Sequence, residues 1–273
     1  MEYRELRPAA WLREHVECVW IVAGAATVRG PSETIVPDGC AELIFHLGER
    51  FVAGLERAAA KQPEAVLVGP LSRPFQVERP CGRVLTMGVR FRPGGLRAFL
   101  DAPVHELAEG ATDARAVWGA ETALLAEALS ETRDAATRLL RVEDFLRRRR
   151  RPAASESGLV RQILTSRGQV RSEDLAWAAG ISLRQLERRF RDTVGLPPKR
   201  LARIVRFQEV LRRSGGDTPD WVAVALDCGY YDQSHLIRDF CELAGAAPSR
   251  FSGRNGFAGN FVAPERLDAF FGA

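Results

Sequence analysis

Two stretches of this 273-residue chain carry side chains suited to reading the edges of nucleic-acid bases. From Ser182 to Val194, helical periodicity turns Leu183, Leu186 and Phe190 inward and leaves Arg184, Gln185, Glu187, Arg188 and Arg191 facing out. From Asp232 to Ala244 it turns Leu236 and Phe240 inward and leaves Gln233, Ser234, His235 and Arg238 outside. Arginine takes guanine bidentately, glutamine takes adenine, glutamate accepts from a cytosine amino group, and serine reaches either kind of base. Lys199, Arg200 and Arg203, between the stretches, suit phosphate. Other chemistries lack their residues. The five cysteines, Cys18, Cys40, Cys81, Cys228 and Cys241, are odd in number, and no two are two or three residues apart. That disfavours both a disulfide framework and a zinc finger. His15, His46 and His105 are scattered, and neither a nucleophile elbow nor a phosphate-cradling glycine loop occurs. No catalytic residue, metal ligand or cofactor is expected, and the chain is not read as an enzyme.

Each reading stretch sits second in a pair of helices. In the first unit Ser172 is expected to cap a short helix, EDLAWAA; Gly180 turns the chain and Ile181 plugs the turn. Ser182 with Gln185 forms a capping box for the second helix, which stops at Gly195. About fifty residues on the pattern repeats. Thr218 is expected to cap with Pro219 at the first helical position. The helix DWVAVALD ends at Cys228-Gly229, Tyr230 takes the place of Ile181, and Asp232 caps the last helix before Gly245. Pro197 to Arg213 reads as one connecting helix, closed by Ser214-Gly215-Gly216. At ~1.5 Å per residue it is a rod of roughly 25 Å. Successive major-groove faces on one side of DNA lie about 34 Å apart, so such a rod can set two reading helices near one turn apart.

These residues closely resemble the DNA-binding domain of the AraC/XylS family of bacterial transcription regulators, over about residues 158–256. The first half carries LAxxAGIS, LxxLERRF and GxPP; the second carries VALDCGYYDQSHLIRDF and PSxF. The resemblance implies a seven-helix domain with both units in the major groove of double-stranded promoter DNA. Contact with RNA polymerase, as an activator, is expected, with repression left open. The family's base-reading positions fall on Arg184, Glu187 and Arg188, and on Gln233, Ser234, His235 and Arg238. Trp221 departs from the smaller aliphatic residue usual there. The stretches VPDGCAELIF at 36–45 and GVRFRPGG at 88–95 resemble the sensor half of a subset of these regulators. That implies an effector-binding or dimerising role, with the effector unnamed.

The expected fold class is α+β: a β-rich, barrel-like sensor domain with helices over 1–150, then an all-α double helix-turn-helix domain over 158–256. Glu33 to Leu47, broken at Pro37-Asp38-Gly39, and the runs Ala65 to Val68 and Val84 to Phe91 read as strands. Glu121 to Leu129 and Thr132 to Arg151 read as helices. Ala135, Leu139, Val142 and Leu146 of the second form a stripe that serves either the domain's own core or a homodimer. Charge divides similarly. Residues 1–146 hold 17 basic against 21 acidic residues, and residues 158–256 hold 16 against 11. A basic C-terminal module suits a polyanion. Five arginines, Arg147 to Arg151, precede a linker at Arg151 to Gly158; they serve either as a solvated helix end or as phosphate contacts. No apolar run suits a membrane span or a signal peptide, so a cytoplasmic protein is expected. The Phe-rich tail, Phe257 to Phe271, is expected to pack on one of the domains. The expected function is a sequence-specific transcription regulator controlled by a small molecule. Two alternatives stand beside it: a thiol or metal sensor using a cysteine such as Cys81 beside Arg79 and Arg83, and a DNA-repair enzyme carrying a DNA-binding module.

Overall fold

A computed structural model describes residues 1–54, 60–152, 156–214 and 220–251. The N-terminal part is built on a six-stranded antiparallel sheet. Its order is β1 (Glu2–Leu6), β2 (Val16–Ala26), β9 (Gly82–Phe91), β4 (Ala41–His46), β7 (Ala65–Val68) and β10 (Ala111–Asp113). A second sheet orders β3 (Ser32–Ile35), β8 (Phe75–Glu78), β5 (Val52–Ala53) and β6 (Ala60–Lys61). The two sheets are separate and do not close on each other. The expected barrel is therefore an open pair of sheets.

Cross-strand register decides what each face does. Rows Val19–Val89–Leu43 and Ile21–Met87–Phe45 lie on one face of β2, β9 and β4. After the short α1 (Ala114–Trp118), α2 (Glu121–Glu131) and α3 (Ala135–Arg149) complete an apolar core with them through Leu125, Leu129, Val142, Phe145 and Leu146. The alternate rows, Val22–Thr86–His46, Trp20–Gly88–Ile44 and Cys18–Arg90–Glu42, share the opposite face. Phe51, Phe75, Val77 and Ile35, from the second sheet and its flanks, pack on that side.

The stripe of α3 is spent inside its own domain. Val142 and Leu146 are fully buried, Ala135 and Leu139 pack beside them, and Leu140 is left exposed. The arginine run is likewise engaged at home. Arg149 lies over the Phe145 ring at 3.7 Å and pairs with Glu121 at 2.6 Å. Arg147 and Arg148 pair with Asp144, and Arg151 with Asp101.

The C-terminal part holds α4 (Ser157–Thr165), α5 (Ser172–Ala178), α6 (Leu183–Val194), α7 (Pro198–Arg213), α8 (Trp221–Asp227) and α9 (Gln233–Ala244). Two cores share α7. Leu201, Ala202 and Val205 face the first unit, with Leu175, Leu186 and Phe190. Ile204, Phe207, Val210 and Leu211 face the second, with Ala225, Tyr230, Leu236 and Phe240. A helix apolar on several sides must be enclosed, and the N-terminal domain covers part of what the two units leave. Val36 enters the second core and Cys40 the first. Gln208 Nε2 donates to the Pro37 carbonyl at 2.6 Å. A Cβ on Gly39, whose φ is +80°, would lie 2.6 Å from Leu201.

Several caps differ from expectation. Ser172 is the first helical residue of α5, and Arg171 takes the cap position ahead of it. Asp220 caps α8, accepting from the amides of Val222 and Ala223. Thr218, Pro219, Gly215 and Gly216, like the Phe-rich tail, lie outside the described residues.

Candidate nucleic-acid interface and inter-sheet cavity

Each reading helix is fixed at both ends by local chemistry. Ser182 accepts from the Gln185 amide at 3.2 Å while Gln185 Oε1 accepts from the Ser182 amide at 2.9 Å. Gly195 closes α6 in the left-handed region. Asp232 accepts from the His235 amide at 2.7 Å, and Gly245 closes α9. The turn plugs are Ile181, partly buried in the first core, and Tyr230, buried in the second.

On α6, Arg184, Gln185, Glu187, Arg188 and Arg191 are all exposed. Arg184, Glu187, Arg188 and Arg191 line one shallow groove with Asp192 and His105. Gln185 points back into its capping box, which occupies the amide oxygen a base would need. Leu183, expected inward, is 38% exposed. On α9, Gln233, Ser234 and Arg238 are exposed, whereas His235 is half-buried and stacks edge-on against Tyr230 at 5.1 Å. Arg238 and His235 share a second shallow groove with Tyr231. Tyr231 escaped the sequence reading, although only one residue of the Tyr230-Tyr231 pair can plug the turn. It is 88% exposed at the start of α9.

The expected phosphate ligands separate. Lys199 is exposed. Arg203 is held by Asp239 at 2.7 Å and Glu242 at 2.6 Å, and these hydrogen bonds raise its pKa further. Arg200 pairs with Glu242 at 2.5 Å and donates to the Ser72 carbonyl of the N-terminal domain. Both arginines fasten α7 to its neighbours. A second ionic hub sits on α7, where the fully buried Glu209 accepts from Arg167 at 2.7 Å, Arg212 at 2.8 Å and Arg213 at 2.5 Å. Burial pushes its carboxyl up, but the three arginines outweigh it and hold the pKa at about 2. Arg213 also reaches Asp227 at the end of α8, at 2.7 Å. The hub therefore ties the approach to the first unit to the second.

Behind this surface, between the two sheets, lies a cavity of about 70 Å³. Trp20, Ile44, Phe51 and Phe75 wall it, and His46 with Gln62 and Arg90 with Glu42 supply polar ends. Ile35, Val36, Asp38 and Cys40 line it as well, so the segment that touches α7 on one side meets the cavity on the other. Cys18, Cys40 and Cys228 are buried, while Cys81 and Cys241 are exposed. The Cys81 thiol donates to the Thr27 carbonyl at 3.3 Å. Among the described residues no group of three or more His, Cys, Asp or Glu side chains is placed to hold a metal, and no helix is long and apolar enough to cross a membrane.

Residues 4–113 match a family described as a domain of unknown function (DUF6597), and residues 175–254 match one described as a helix-turn-helix domain. No curated protein matches the chain. Among solved structures, ToxT from Vibrio cholerae at 1.65 Å is 9% identical, with 92% of this chain and 98% of that chain covered and a TM-score of 0.48. ToxT from Vibrio cholerae O395 bound to (E)-4-(8-methylnaphthalen-1-yl)but-3-enoic acid is 10% identical, over 92% and 97%, with a TM-score of 0.46. Unsaturated fatty acid-bound ToxT from strain SCE256 is 12% identical, over 85% and 93%, with a TM-score of 0.44.

Two capped reading helices with plugged turns, each packed against one shared helix, define a helix-turn-helix DNA-binding protein of the transcription-regulator class. The matched segment, residues 175–254, spans both units and the helix they share.

Proposed function

We propose that the chain regulates transcription by seating α6 and α9 in successive major grooves of one promoter site, under the control of a small molecule held between its two sheets. The observation that carries this reading is α7. One 16-residue helix, buried on several sides, packs both units into fixed relation. At ~1.5 Å per residue it is about 24 Å long, which suits a span of about 34 Å between groove faces once the width of the flanking helices is added. Arg184, Glu187 and Arg188 read bases from α6; Gln233, Ser234 and Arg238 read them from α9. Tyr231 and Lys199 meet phosphate, and Arg191 lies at the groove edge. Gln185, His235, Arg200 and Arg203 act mainly by holding the frame.

The division into an effector domain over 1–150 and a DNA-binding domain over 158–256 belongs to the same proposal. The domains are not independent, because residues 36–40 belong to both the cavity wall and the surroundings of α7. A ligand that shifts this segment shifts the helix that sets the spacing of the readers. A homodimer would use exposed side chains such as Leu140, since the α3 stripe is occupied. On the promoter the protein would meet RNA polymerase, and it would work in the cytoplasm. Mobility-shift titration of the full chain against promoter DNA over a salt series tests the reading. Binding should fall steeply with salt as phosphate neutralisation releases counterions. An unshifted duplex at every salt concentration would exclude it.

A further inference from the structure

One short segment of the N-terminal part touches the C-terminal ends of both reading helices. Gly195 closes α6 and Gly245 closes α9, with φ of +86° and +74°. A Cβ on Gly195 would lie 2.7 Å from Pro70 Cγ and 3.0 Å from Val104 Cγ1. A Cβ on Gly245 would lie 3.4 Å from Pro74 Cγ. Between the two prolines, the Ser72 carbonyl accepts from Arg200 of α7, which pairs in turn with Glu242 of α9 at 2.5 Å. Residues 69–74, the connection from β7 to β8, therefore meet α6, α7 and α9 together.

The segment is built to be stiff. Proline fixes its own φ, and it does so here at both contact points. Glu109 grips the segment from the side. Its amide donates to the Pro70 carbonyl at 3.3 Å, and its carboxylate accepts from the Ser72 amide at 3.1 Å. Glu109 has a φ of +64°, a left-handed conformation that residues with a side chain rarely adopt. Such a conformation persists only where its surroundings over-determine it, and it marks places where geometry serves function. The turn Val104–Leu107 backs the same contact. It sets Val104 against Gly195 and His105 at 3.6 Å from Asp192 of α6, and a Cβ on Gly69 would lie 1.9 Å from the Leu107 carbonyl. On the other side, Gly69, Leu71 and Phe75 belong to the wall of the cavity between the sheets.

We propose that residues 69–74 form a positioning strap for DNA reading, in which Pro70 and Pro74 fix the tilt of α6 and α9 and so set the operator spacing the chain accepts. The proposal rests on the reading of these two helices as the DNA readers. α7 packs along their sides. A helix held along one side can still pivot, and a second contact at its end stops the pivot. Each reader has 12 residues and is about 18 Å long, so its end is a long lever on the N-terminal half that reaches base edges. Neither proline touches DNA; each acts through the glycine packed against it.

The test selects bound sequences from random DNA with the full chain. It then compares the selected duplex with duplexes that have one base pair added or removed between the two blocks. The wild type should lose at least about tenfold in affinity on each altered spacing. The double variant Pro70→Gly with Pro74→Gly frees the backbone and removes both contacts. It should keep the base preference within each block but lose less than about threefold on altered spacing. Glu109→Gly, which releases the Ser72 amide, should relax the spacing in the same direction, and Glu109→Gln, which keeps an acceptor there, should restore it. Partial unfolding lowers binding to every duplex alike and leaves these ratios unmoved. Leu129→Ala, in the fully buried core against the helices of the N-terminal part, is the control for that. It should lower the melting temperature and keep the spacing preference. If the double variant does not fold, Glu109→Gly decides alone. Spacing preference as sharp as wild type in the folded variants, or equally relaxed in Leu129→Ala, would overturn the strap and leave the DNA reading standing. A wild type that enriches no sequence would overturn both.

Discussion

At the scale of single residues, the proposed base reading divides unequally between the two helices. Arg188 is exposed in the middle of α6, with a guanidinium able to fork onto guanine. Arg238 is exposed on α9, but its companion His235 is turned against Tyr230. Arg188→Ala should erase base preference at one half of the operator, a loss of about 1 to 3 kcal/mol in discrimination. Arg238→Ala should weaken all sequences more evenly and lower the salt slope by about one. Binding each variant to a set of single-base operator changes checks both; the reverse pattern would reverse the roles. Glu209 carries a different kind of prediction. Its carboxyl sits near 2 against an ordinary 4.5, so the stability it contributes is present above about 4.5 and is lost as pH falls toward 2. Glu209→Gln should cost about 3 kcal/mol or more near neutral pH, because Arg167, Arg212 and Arg213 all lose a buried charge partner. The difference from wild type should shrink on acidification, and denaturant titrations from pH 2 to 7 measure it. The exposed readers were legible in the sequence because helical period alone turns them outward. Glu209 was not, since a lone glutamate on a charged helix does not show that it is buried. Arg200 and Arg203 looked like phosphate ligands because their partners Asp239 and Glu242 are distant in sequence and come near only in the fold.

At the scale of elements, turn chemistry proved more legible than strand extent. Gly180, Gly195, Gly229 and Gly245 all adopt positive φ at the ends of helices, where the sequence reading placed them. The strand β2 went unread because VECVWIVAGAA is apolar on both faces and so lacks alternation. One of its faces meets the helices and the other meets the cavity. The α3 stripe was legible as a stripe but not as to its partner, since a domain's own core and a second copy want the same residues. The element that periodicity could not reveal is the 36–40 segment, whose importance lies in what it touches. Gly39 has φ +80°, and a Cβ there would lie 2.6 Å from Leu201. Gly39→Ala is therefore expected to push the segment off α7, lower the melting temperature of the full chain and speed proteolytic cleavage between the sheets and the helical part. Limited proteolysis of the variant checks this, and a cleavage rate equal to wild type would show that the contact does not hold the domains together.

At the scale of the whole molecule, the N-terminal sheets and the helical part meet at one helix, α7, with Val36 and Cys40 entering the two cores built on it. A fragment spanning 155–256 should melt below the intact chain, because removing residues 1–150 uncovers that side of α7. Scanning calorimetry of both settles it, and a fragment as stable as the intact chain would show that the contact adds nothing. The charge division foreshadowed which half meets DNA, but the sequence presented the halves as modules on a tether. Long-range contacts between residues such as Pro37 and Gln208 leave no local trace. The central claim, that α7 sets α6 and α9 in successive grooves of one site, is tested most directly by selecting bound sequences from random DNA with the intact chain. The account predicts two blocks of base preference per bound copy, their centres about one helical turn, roughly 10 base pairs, apart. A single block, or sequences with no enrichment, would contradict it.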